Sequence, residues 1–250
     1  EQHVSFGNSR GDRLAGVLHH PAKNRVQRGA AILCHGMDSD KNSAKLVFLS
    51  RALAQAGVAA LRFDFSFAGA SSGRFENITC SGEVDDLRAA YDLMQERYPG
   101  KIAIFGSSLG GTVALLFAAQ QPRVAALATL AAPLRPEDFP KRILTLTQLQ
   151  QWRVQGFTIY NHRRLNVTLL EDLDRIDVVD EAKKVRCPAL ILHGDGDAIV
   201  PVEEAHELHD CLTGVKRLSI LTGADHRLSE PAMMQQVMAE ALAWLTEHVG

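Results

Sequence analysis

Short hydrophobic runs alternate along this chain with segments whose apolar residues follow helical periodicity. Two early runs, residues 3–7 and 14–19, are joined by a Gly-Asp turn signal and predict an antiparallel hairpin. Later runs predict strands at residues 30–36, 58–65, 101–106, 124–133, 187–195 and 216–225. Helical patterns follow most of them, at residues 42–57, 80–98, 109–121, 202–212 and 231–249. This alternation predicts a mostly parallel α/β sheet with helices on both faces and an N-terminal hairpin.

The alternation breaks between residues 134 and 185, where the sequence becomes polar and irregular. The stretch is too short for a domain and too long for an ordinary loop. Because the strand before it and the strand after it belong to the same predicted sheet, we expect a small inserted lid over one end of that sheet. Residues 1–133 and 186–250 are then the core, and residues 134–185 are the lid.

Composition removes several classes of function. Apolar residues make up 46% of the 250 residues and charged residues 22%, which is typical of a soluble globule. A net charge of −2 offers no basic field for nucleic acid or an anionic membrane. Four cysteines without CxxC spacing indicate neither a zinc site nor a disulfide framework. With no signal peptide and no membrane-spanning run, we expect a cytoplasmic protein, although the first residue, Glu1, is consistent with a trimmed leader. Oligomeric state is not predicted.

One junction between a predicted strand and a predicted helix carries the sequence GSSLG, residues 106–110. It matches G-x-S-x-G, in which a tight turn lifts the central serine, Ser108, into the open. Gly106 and Gly110 would crowd together in such a turn, so neither can carry a side chain. A phosphate-binding loop is the alternative, but neither G-x-G-x-x-G nor G-K-[ST] is present. The motif therefore predicts a nucleophilic serine.

A serine nucleophile needs a base and a group that orients the base. In enzymes with this turn, the acid and then the histidine follow the serine along the chain. Two predicted strands downstream end in candidates: one in Asp195 and Asp197, the other in Asp225-His226. We therefore predict His226 as the base and Asp195 or Asp197 as the acid, with Asp225 as a turn former.

The oxyanion formed during acyl transfer requires two N–H donors. Leu109 follows the nucleophile at the first turn of a helix, where N–H groups are unpaired. A second donor comes from the loop after an earlier strand, which here reads HGM and places the Met37 N–H there. We expect His35 to brace this loop rather than to transfer protons.

At these positions the sequence resembles the α/β-hydrolase superfamily, and most closely its small esterase/aminopeptidase-like branch. HGDGDAIVP resembles the branch's H-G-x-x-D-x-x-V-P signature and so implies Asp197 as the acid. GADH and HGM are similar to its histidine and oxyanion signatures. The resemblance covers nearly the whole chain apart from the predicted lid, and it implies the α/β-hydrolase fold with no metal and no organic cofactor.

Within that branch, RFDFSFAGASSGRFENIT is similar to a stretch of cinnamoyl and feruloyl esterases. The sequence departs from it at Phe67 and Ala68, where the family carries Gly-His. The lid of those esterases grips the phenolic end of the acyl group. The resemblance therefore implies substrate-binding residues in the lid, namely the polar Asp138, Gln148 and Tyr160 and an aromatic lining of Trp152, Phe157 and Tyr160.

The sequence thus predicts a serine hydrolase that cleaves small-molecule carboxylic esters, with aromatic or short acyl groups, through an acyl-enzyme. Three alternatives stay open. An aminopeptidase or amidase would use the same triad with acidic lid residues, and a thioesterase would use nearby arginines. A receptor-like or scaffolding member would bind a ligand without turnover. The acidic residues are Glu137, Asp138 and those in EDLDRID, and the arginines are Arg153, Arg163 and Arg164.

Overall fold

A computed structural model describes residues 1–23 and 25–250. Over these residues the chain forms ten strands and nine α-helices. The strands are β1 (Gln2–Gly7), β2 (Arg13–His19), β3 (Gly29–Cys34), β4 (Val58–Asp64), β5 (Ile102–Ser107), β6 (Val124–Leu130), β7 (Phe157–Tyr160), β8 (Arg163–Asn166), β9 (Ala189–Gly194) and β10 (Lys216–Leu221). The helices are α1 (Ala44–Gln55), α2 (Cys80–Arg97), α3 (Leu109–Gln120), α4 (Phe139–Ile143), α5 (Leu146–Gln155), α6 (Thr168–Leu173), α7 (Val178–Ala182), α8 (Val202–Cys211) and α9 (Pro231–Val249).

Eight of the strands form one sheet in the order β1-β2-β4-β3-β5-β6-β9-β10. The hairpin strands β1 and β2 pair antiparallel, β2 pairs antiparallel with β4, and the remaining neighbours are parallel. The central strands β4 and β5 are buried along their whole length, as continuous apolar runs require between two helical layers. At the edge, β1 alternates between exposed and partly buried positions. The predicted fold class is therefore confirmed.

Helices cover both faces of this sheet. On one face α1 and α9 pack over a cluster of buried aliphatic and aromatic side chains. On the other face α2, α3, α7 and α8 enclose the larger cluster, which also takes in apolar residues of α5 and α6. The carboxyl ends of the parallel strands are thus the open edge of the sheet, and this is where such folds place their ligands.

The β6–β9 segment, residues 131–188, contains the predicted insertion. The sequence is polar and irregular here and its strand–helix alternation breaks, yet the segment forms the β7–β8 hairpin and four helices, α4 to α7. Local signals account for the difference. Thr145 and Gln148 form a reciprocal capping box at the start of α5, and Gly156 ends that helix in a left-handed conformation. Asn161 and His162 both take positive φ between β7 and β8, as a two-residue hairpin turn requires.

Candidate active site

Ser108 occupies the junction between β5 and α3 with φ 55° and ψ −129°, a conformation that L-residues rarely adopt. Two hydrogen bonds hold this strained backbone. The Ser108 N–H donates to the Leu130 carbonyl at 2.8 Å, and the Ser108 carbonyl accepts from the Gly111 N–H at 2.7 Å. The neighbouring strand β6 and the first turn of α3 therefore hold the serine at the open edge of the sheet.

The glycines around Ser108 are required because the turn leaves no room for a Cβ at their positions. A Cβ on Gly106 would collide with the backbone of Gly110, and a Cβ on Gly110 would collide with the carbonyl oxygen of His35. Gly36 is similarly restricted, because its Cβ would lie 3.1 Å from the Cβ of Ser108. The turn therefore packs directly against the loop after β3, as its motif predicts.

The structure brings the predicted base and acid to this serine. His226, in the loop after β10, lies with Nε2 3.0 Å from Ser108 Oγ. Its Nδ1 is 2.7 Å from Asp197 Oδ2, in the loop after β9. Since a carboxylate only accepts, Nδ1 carries the proton and Nε2 is left to accept from the serine hydroxyl. Three strand ends far apart in sequence thus form one chain of hydrogen bonds.

Asp197 is fixed by burial of its side chain and by several hydrogen bonds. Its side chain is fully buried, and its other oxygen, Oδ1, accepts from the N–H groups of Ile199 and Val200 at 2.8 and 2.9 Å. His193 Nε2 donates to the Val200 carbonyl at 2.9 Å and lies 3.4 Å from Asp197 Oδ2. Burial by itself raises the pKa of the Asp197 carboxyl, but the hydrogen bonds from His193, His226 and Val200 outweigh it and lower the pKa well below its usual range.

The two other acids near this histidine have structural partners. Asp195 accepts from the Gly223 N–H at 2.5 Å and so ties the end of β9 to the loop after β10. Asp225 accepts from the N–H and the hydroxyl of Ser229, at 2.8 and 2.6 Å, as a turn former does. The geometry therefore selects Asp197 over Asp195 as the partner of His226.

Met37 and Leu109, the predicted oxyanion donors, both border the cavity that contains Ser108. Neither backbone N–H donates a hydrogen bond to any residue that the structure describes. His35 holds the intervening loop, because its Nδ1 donates to the Gly36 carbonyl at 2.8 Å and its Nε2 accepts from the Phe65 N–H at 3.1 Å. Burial lowers the pKa of this imidazole, which keeps it neutral in that bracing role.

Asp64 links the Met37 loop to the loop after β4. Its buried carboxylate accepts from the N–H groups of Lys41 and Ala70, at 2.8 and 2.7 Å, and pairs with the Lys41 ammonium at 2.5 Å. At Phe67, where the resemblance to feruloyl esterases implies glycine, the backbone takes a φ of 74°, and a Cβ at Gly73 would collide with the Phe67 ring. The Phe67 ring therefore occupies the space that a side chain at residue 73 would need.

A cavity of about 850 Å³ opens above Ser108 and His226. The β6–β9 segment supplies an apolar wall, while the loop after β3, the start of α1 and the loop around His226 supply a more polar one. Residues of the apolar wall are Pro136, Phe139, Tyr160, Leu169 and Leu173. Residues of the polar wall include Asp38, Ser43, Lys45, Asp225 and Arg227. The volume lies in the range of pockets that bind drug-sized small molecules.

Of the five residues predicted to bind substrate from the insertion, the structure brings only Tyr160 to the cavity, where its hydroxyl donates to Asp38 at 2.8 Å. Asp138 pairs with Lys141 at 2.6 Å outside the cavity lining. Gln148 is exposed, and its side chain caps α5. Trp152 is 2% exposed and packs in the large core cluster. The aromatic Phe157 also lies outside the lining, stacked against Arg164. These side chains are engaged in local folding rather than turned toward Ser108.

Three polar residues at or behind the cavity wall were missed by the sequence reasoning. His193 supports Asp197 from within β9, and the only signal for it was the histidine in the HGDGD sequence. Asp38 directly follows the oxyanion loop and contacts the β7–β8 hairpin. Lys45 lies in the first turn of α1, an unusual place for a cation and the one feature that could have drawn attention to it.

No group of three or more His, Cys, Asp or Glu side chains is arranged to hold a metal ion in the part of the chain that the structure describes. None of the helices over residues 1–23 and 25–250 combines the length and the apolarity that a membrane span needs.

A family model described as "Serine aminopeptidase, S33" matches residues 25–174. The esterase domain of a Rhodothermus marinus protein is 31% identical, with a TM-score of 0.77 over 100% of this chain and 99% of that one. Est1E from Butyrivibrio proteoclasticus, solved with ferulic acid bound, gives a TM-score of 0.89 at 24% identity over 98% and 99% of the two chains. The bovine palmitoyl-protein thioesterase ABHD10 is 26% identical over 82% of this chain and 69% of its own.

Proposed function

Because this chain belongs to the Serine aminopeptidase, S33 family and is an α/β hydrolase, we propose that it cleaves carboxylic esters through an acyl-enzyme formed on Ser108. The observation that carries the proposal is the continuous hydrogen-bond chain from Ser108 Oγ through His226 to Asp197, with distances of 3.0 and 2.7 Å. A strained serine placed against a correctly oriented base is the arrangement that nucleophilic catalysis requires, and it argues against an inactive scaffold.

In the first step, His226 Nε2 takes the Ser108 proton while the serine oxygen attacks the ester carbonyl carbon. The Nδ1 proton stays on the ring and is held by Asp197, whose buried carboxylate stabilises the imidazolium that forms. Since hydrogen bonds lower the pKa of Asp197 well below its usual range, this carboxylate remains charged throughout the neutral pH range.

The tetrahedral oxyanion is stabilised by the unpaired N–H groups of Met37 and Leu109. Each such donor typically contributes about 3 kcal/mol to the transition state. The imidazolium of His226 then protonates the alcohol oxygen as the C–O bond breaks, which leaves the acyl group on Ser108. Water attacks this acyl-enzyme by the same steps in reverse and regenerates the serine.

The β6–β9 segment serves as a lid that receives the acyl group. Its contribution to the cavity is apolar, through side chains such as Phe139, Leu169 and Leu173, and these suit an aromatic or aliphatic acyl chain. Esterases among the similar structures, one of them with ferulic acid bound, are in keeping with such a substrate.

The family's printed description suggests an aminopeptidase, but the cavity favours an ester. An aminopeptidase needs a carboxylate that is free to pair with the substrate's ammonium group. Both acids that line the cavity within the described residues are engaged: Asp38 accepts from Tyr160 and Asn161, and Asp225 accepts from Ser229. Thioesters remain chemically compatible with this triad, and the resemblance to ABHD10 makes them the second class of substrate to test.

Replacing Ser108 tests the proposal directly. We expect Ser108→Ala to lower kcat on p-nitrophenyl butyrate by about 10⁵-fold or more, because the nucleophile is lost. Ser107→Ala is the matched control, since it removes the neighbouring hydroxyl, and its rate should stay within about threefold of wild type. A fluorophosphonate should label Ser108 alone, as shown by peptide mass spectrometry. Equal activity of the Ser108→Ala variant and the wild type would refute the mechanism.

A panel of matched substrates tests the finer assignment. Ester, thioester and anilide forms of one acyl group separate the three chemistries, and we expect the ester to give the highest kcat/KM. Hydroxycinnamoyl and aliphatic esters of one alcohol then rank the acyl groups. A clear preference for the anilide would replace the esterase proposal with an amidase.

A further inference from the structure

One cation in the polar wall of the cavity has no protein partner. Lys45 lies in the first turn of α1 and borders the same cavity as Ser108 and His226. Its ammonium group makes no hydrogen bond and no ion pair with any residue that the structure describes. By contrast, the nearby Lys41 is paired with the buried carboxylate of Asp64.

Helix stability does not explain a lysine at this position. The N-terminus of a helix carries partial positive charge, so a cation in the first turn is unfavourable and an acid is preferred. The first turn of α1 contains no acidic residue, although it does contain Lys45. Partial burial adds a second cost, since it removes water from the ammonium group. A cation that is unfavourable on both counts and faces a cavity is better explained by a ligand than by the fold.

The surrounding charges leave Lys45 available. Burial lowers the pKa of its ammonium group, whereas Asp225 and Asp197 raise it and Arg227 lowers it further. Both acids already have partners: Asp197 binds His226, and Asp225 binds Ser229. Arg227 is itself exposed at the cavity and has no ion-pair partner among the described residues. This part of the wall therefore presents two positive charges without committed counter-charges.

A hydroxyl group two residues before Lys45 is also unsatisfied. Ser43 is the N-cap residue of α1, yet its side chain does not accept the capping hydrogen bond that serine usually makes there. Its Oγ atom is buried, borders the cavity through its residue, and has no hydrogen-bond partner among the described residues. A cation and an unsatisfied hydroxyl thus border the cavity from positions two residues apart at the start of one helix.

We propose that Lys45, assisted by the Ser43 hydroxyl, binds an anionic group on the alcohol part of the substrate ester. The anionic group is a carboxylate or a phosphate. This inference rests on the proposed esterase function and specifies its substrate: an apolar acyl group joined to an alcohol that carries negative charge.

The alcohol side is assigned from the position of His226. Its imidazole must protonate the leaving oxygen, so the leaving alcohol lies on the side of the serine that His226 occupies. Asp225 and Arg227, whose charges shift the pKa of the Lys45 ammonium group, flank His226 in the same loop. The apolar wall of the β6–β9 segment is then left for the acyl group.

Matched esters test this assignment. Butyrate esters of 3-hydroxybenzoate and of 3-hydroxybenzamide have nearly the same shape and differ in one negative charge, and the ester of 3-hydroxyphenyl phosphate supplies the phosphate. We expect the wild type to show about tenfold higher kcat/KM on an anionic ester than on the amide, equivalent to about 1.4 kcal/mol. The higher of the two anionic rates identifies carboxylate or phosphate.

The variant Lys45→Met keeps the length of the side chain without its charge, and it should lower the ratio of anionic to neutral kcat/KM about tenfold. Lys45→Arg should retain most of the ratio, which a purely structural role for the lysine would not predict. Lys183→Met removes an exposed lysine directly after α7 and should leave the ratio as it is in the wild type. A ratio near one in the wild type, or an equal ratio in wild type and Lys45→Met, would overturn the proposal.

Binding measurements separate this inference from the proposed function. Titration calorimetry with 3-hydroxybenzoate, 3-hydroxyphenyl phosphate and 3-hydroxybenzamide needs no turnover, and the wild type should bind an anionic compound about tenfold more tightly than the amide. Lys45→Met should remove that difference. Selective binding without serine-dependent turnover would support the Lys45 site and refute the esterase. Turnover of the neutral ester without selective binding would support the esterase and refute the Lys45 site.

Discussion

The two walls of the cavity are built in different ways. Ser108, Asp197 and His226 each stand at the end of a strand of the main sheet, and each is held by hydrogen bonds within 3.0 Å. The opposite wall comes from α4, α6 and the β7–β8 hairpin, which do not pair with that sheet. The three residues of the proposed triad are therefore positioned by the main sheet, while the pocket that we propose receives the acyl group is positioned by an appended segment.

Polar contacts of Asp38 join the β7–β8 hairpin to the loop after β3. Asp38 accepts from Tyr160 and Asn161 at 2.8 and 2.9 Å and pairs with Arg163. Arg163 also stacks over the ring of Phe75, with its guanidinium carbon 3.5 Å from the ring centre. Such partly exposed contacts are weak individually compared with a sheet ladder. Substitutions at the strand ends should therefore affect chemistry, whereas those in the β6–β9 segment should affect binding.

The largest effect is expected at Asp197. In Asp197→Asn, Oδ1 can still accept from the Val200 N–H, so the amide NH₂ faces His226 and favours the wrong imidazole tautomer. We expect kcat on p-nitrophenyl butyrate to fall about 10³- to 10⁴-fold with little change in KM. Asp195→Asn is the control two residues away, because an asparagine keeps the hydrogen bond from Gly223. If both variants lost activity equally, the assignment of the acid would be wrong.

The main sheet and its active edge could be predicted because their determinants are local. Continuous apolar runs mark strands buried between helical layers, and all eight predicted strands lie in the sheet. Gly106, Ser108 and Gly110 identify a turn that only one backbone geometry satisfies. Once such elements are ordered in a parallel sheet, the residues that follow β9 and β10 must lie at the same edge as Ser108. Their functional roles stay predictions, but their convergence follows from topology.

The inner surface of the β6–β9 segment could not be predicted in this way. Its helices are short, and their orientation depends on tertiary contacts that leave no periodic pattern in the sequence. Gln148 looked suited to a substrate hydroxyl, yet its amide completes a capping box. Trp152 looked suited to an aromatic lining, yet it is buried in the core. Residue type alone does not distinguish a side chain that binds a ligand from one that stabilises a helix.

Glu83, on α2, is a buried carboxyl group whose hydrogen bonding is incomplete. It is 3% exposed on α2, and its Oε2 has no partner among the described residues. Burial raises the pKa of this carboxyl well above its usual range, and the nearby Asp86 adds to the rise. The folded state therefore has to retain a proton, or bury a charge, at any pH above about 4.3, where the unfolded chain releases it.

Glu83→Gln should consequently raise the free energy of unfolding at pH 8 by about 1–3 kcal/mol. The gain should shrink as the pH falls toward about 4, because the Glu83 carboxyl is then mostly protonated in both the folded and the unfolded chain. Urea unfolding at the two pH values measures it, with Glu96→Gln on the exposed face of α2 as the control. A gain that did not depend on pH would show that the carboxyl charge is not the cause.

Removing the polar link between the two walls should give a smaller effect. Asp38→Ala takes away the acceptor for Tyr160 and Asn161, and it loosens the hairpin above Met37. We expect about tenfold faster amide hydrogen exchange in the hairpin and about tenfold lower kcat/KM. Asp174→Ala breaks the exposed pair with Arg153 in the same segment, outside the cavity lining, and should change neither. Unchanged exchange in Asp38→Ala would mean that the hairpin is held by its apolar contacts.

The smallest effect is expected from two substitutions in the β6–β9 segment. They compare Phe139, which lines the cavity in the structure, with Gln148, which the sequence predicted to bind substrate. Phe139 borders the cavity and packs edge-on against Tyr160, with ring centres 5.8 Å apart. Phe139→Ala should lower kcat/KM about fivefold on an aromatic acyl ester and less on an acetate, because apolar contact with the larger acyl group is lost. Gln148→Ala should cost about 1 kcal/mol of stability through the lost cap and leave both rates within about twofold. If Gln148→Ala instead slowed only the aromatic ester, α5 would have to approach the cavity when substrate binds. The segment would then be a moving lid rather than a preformed wall.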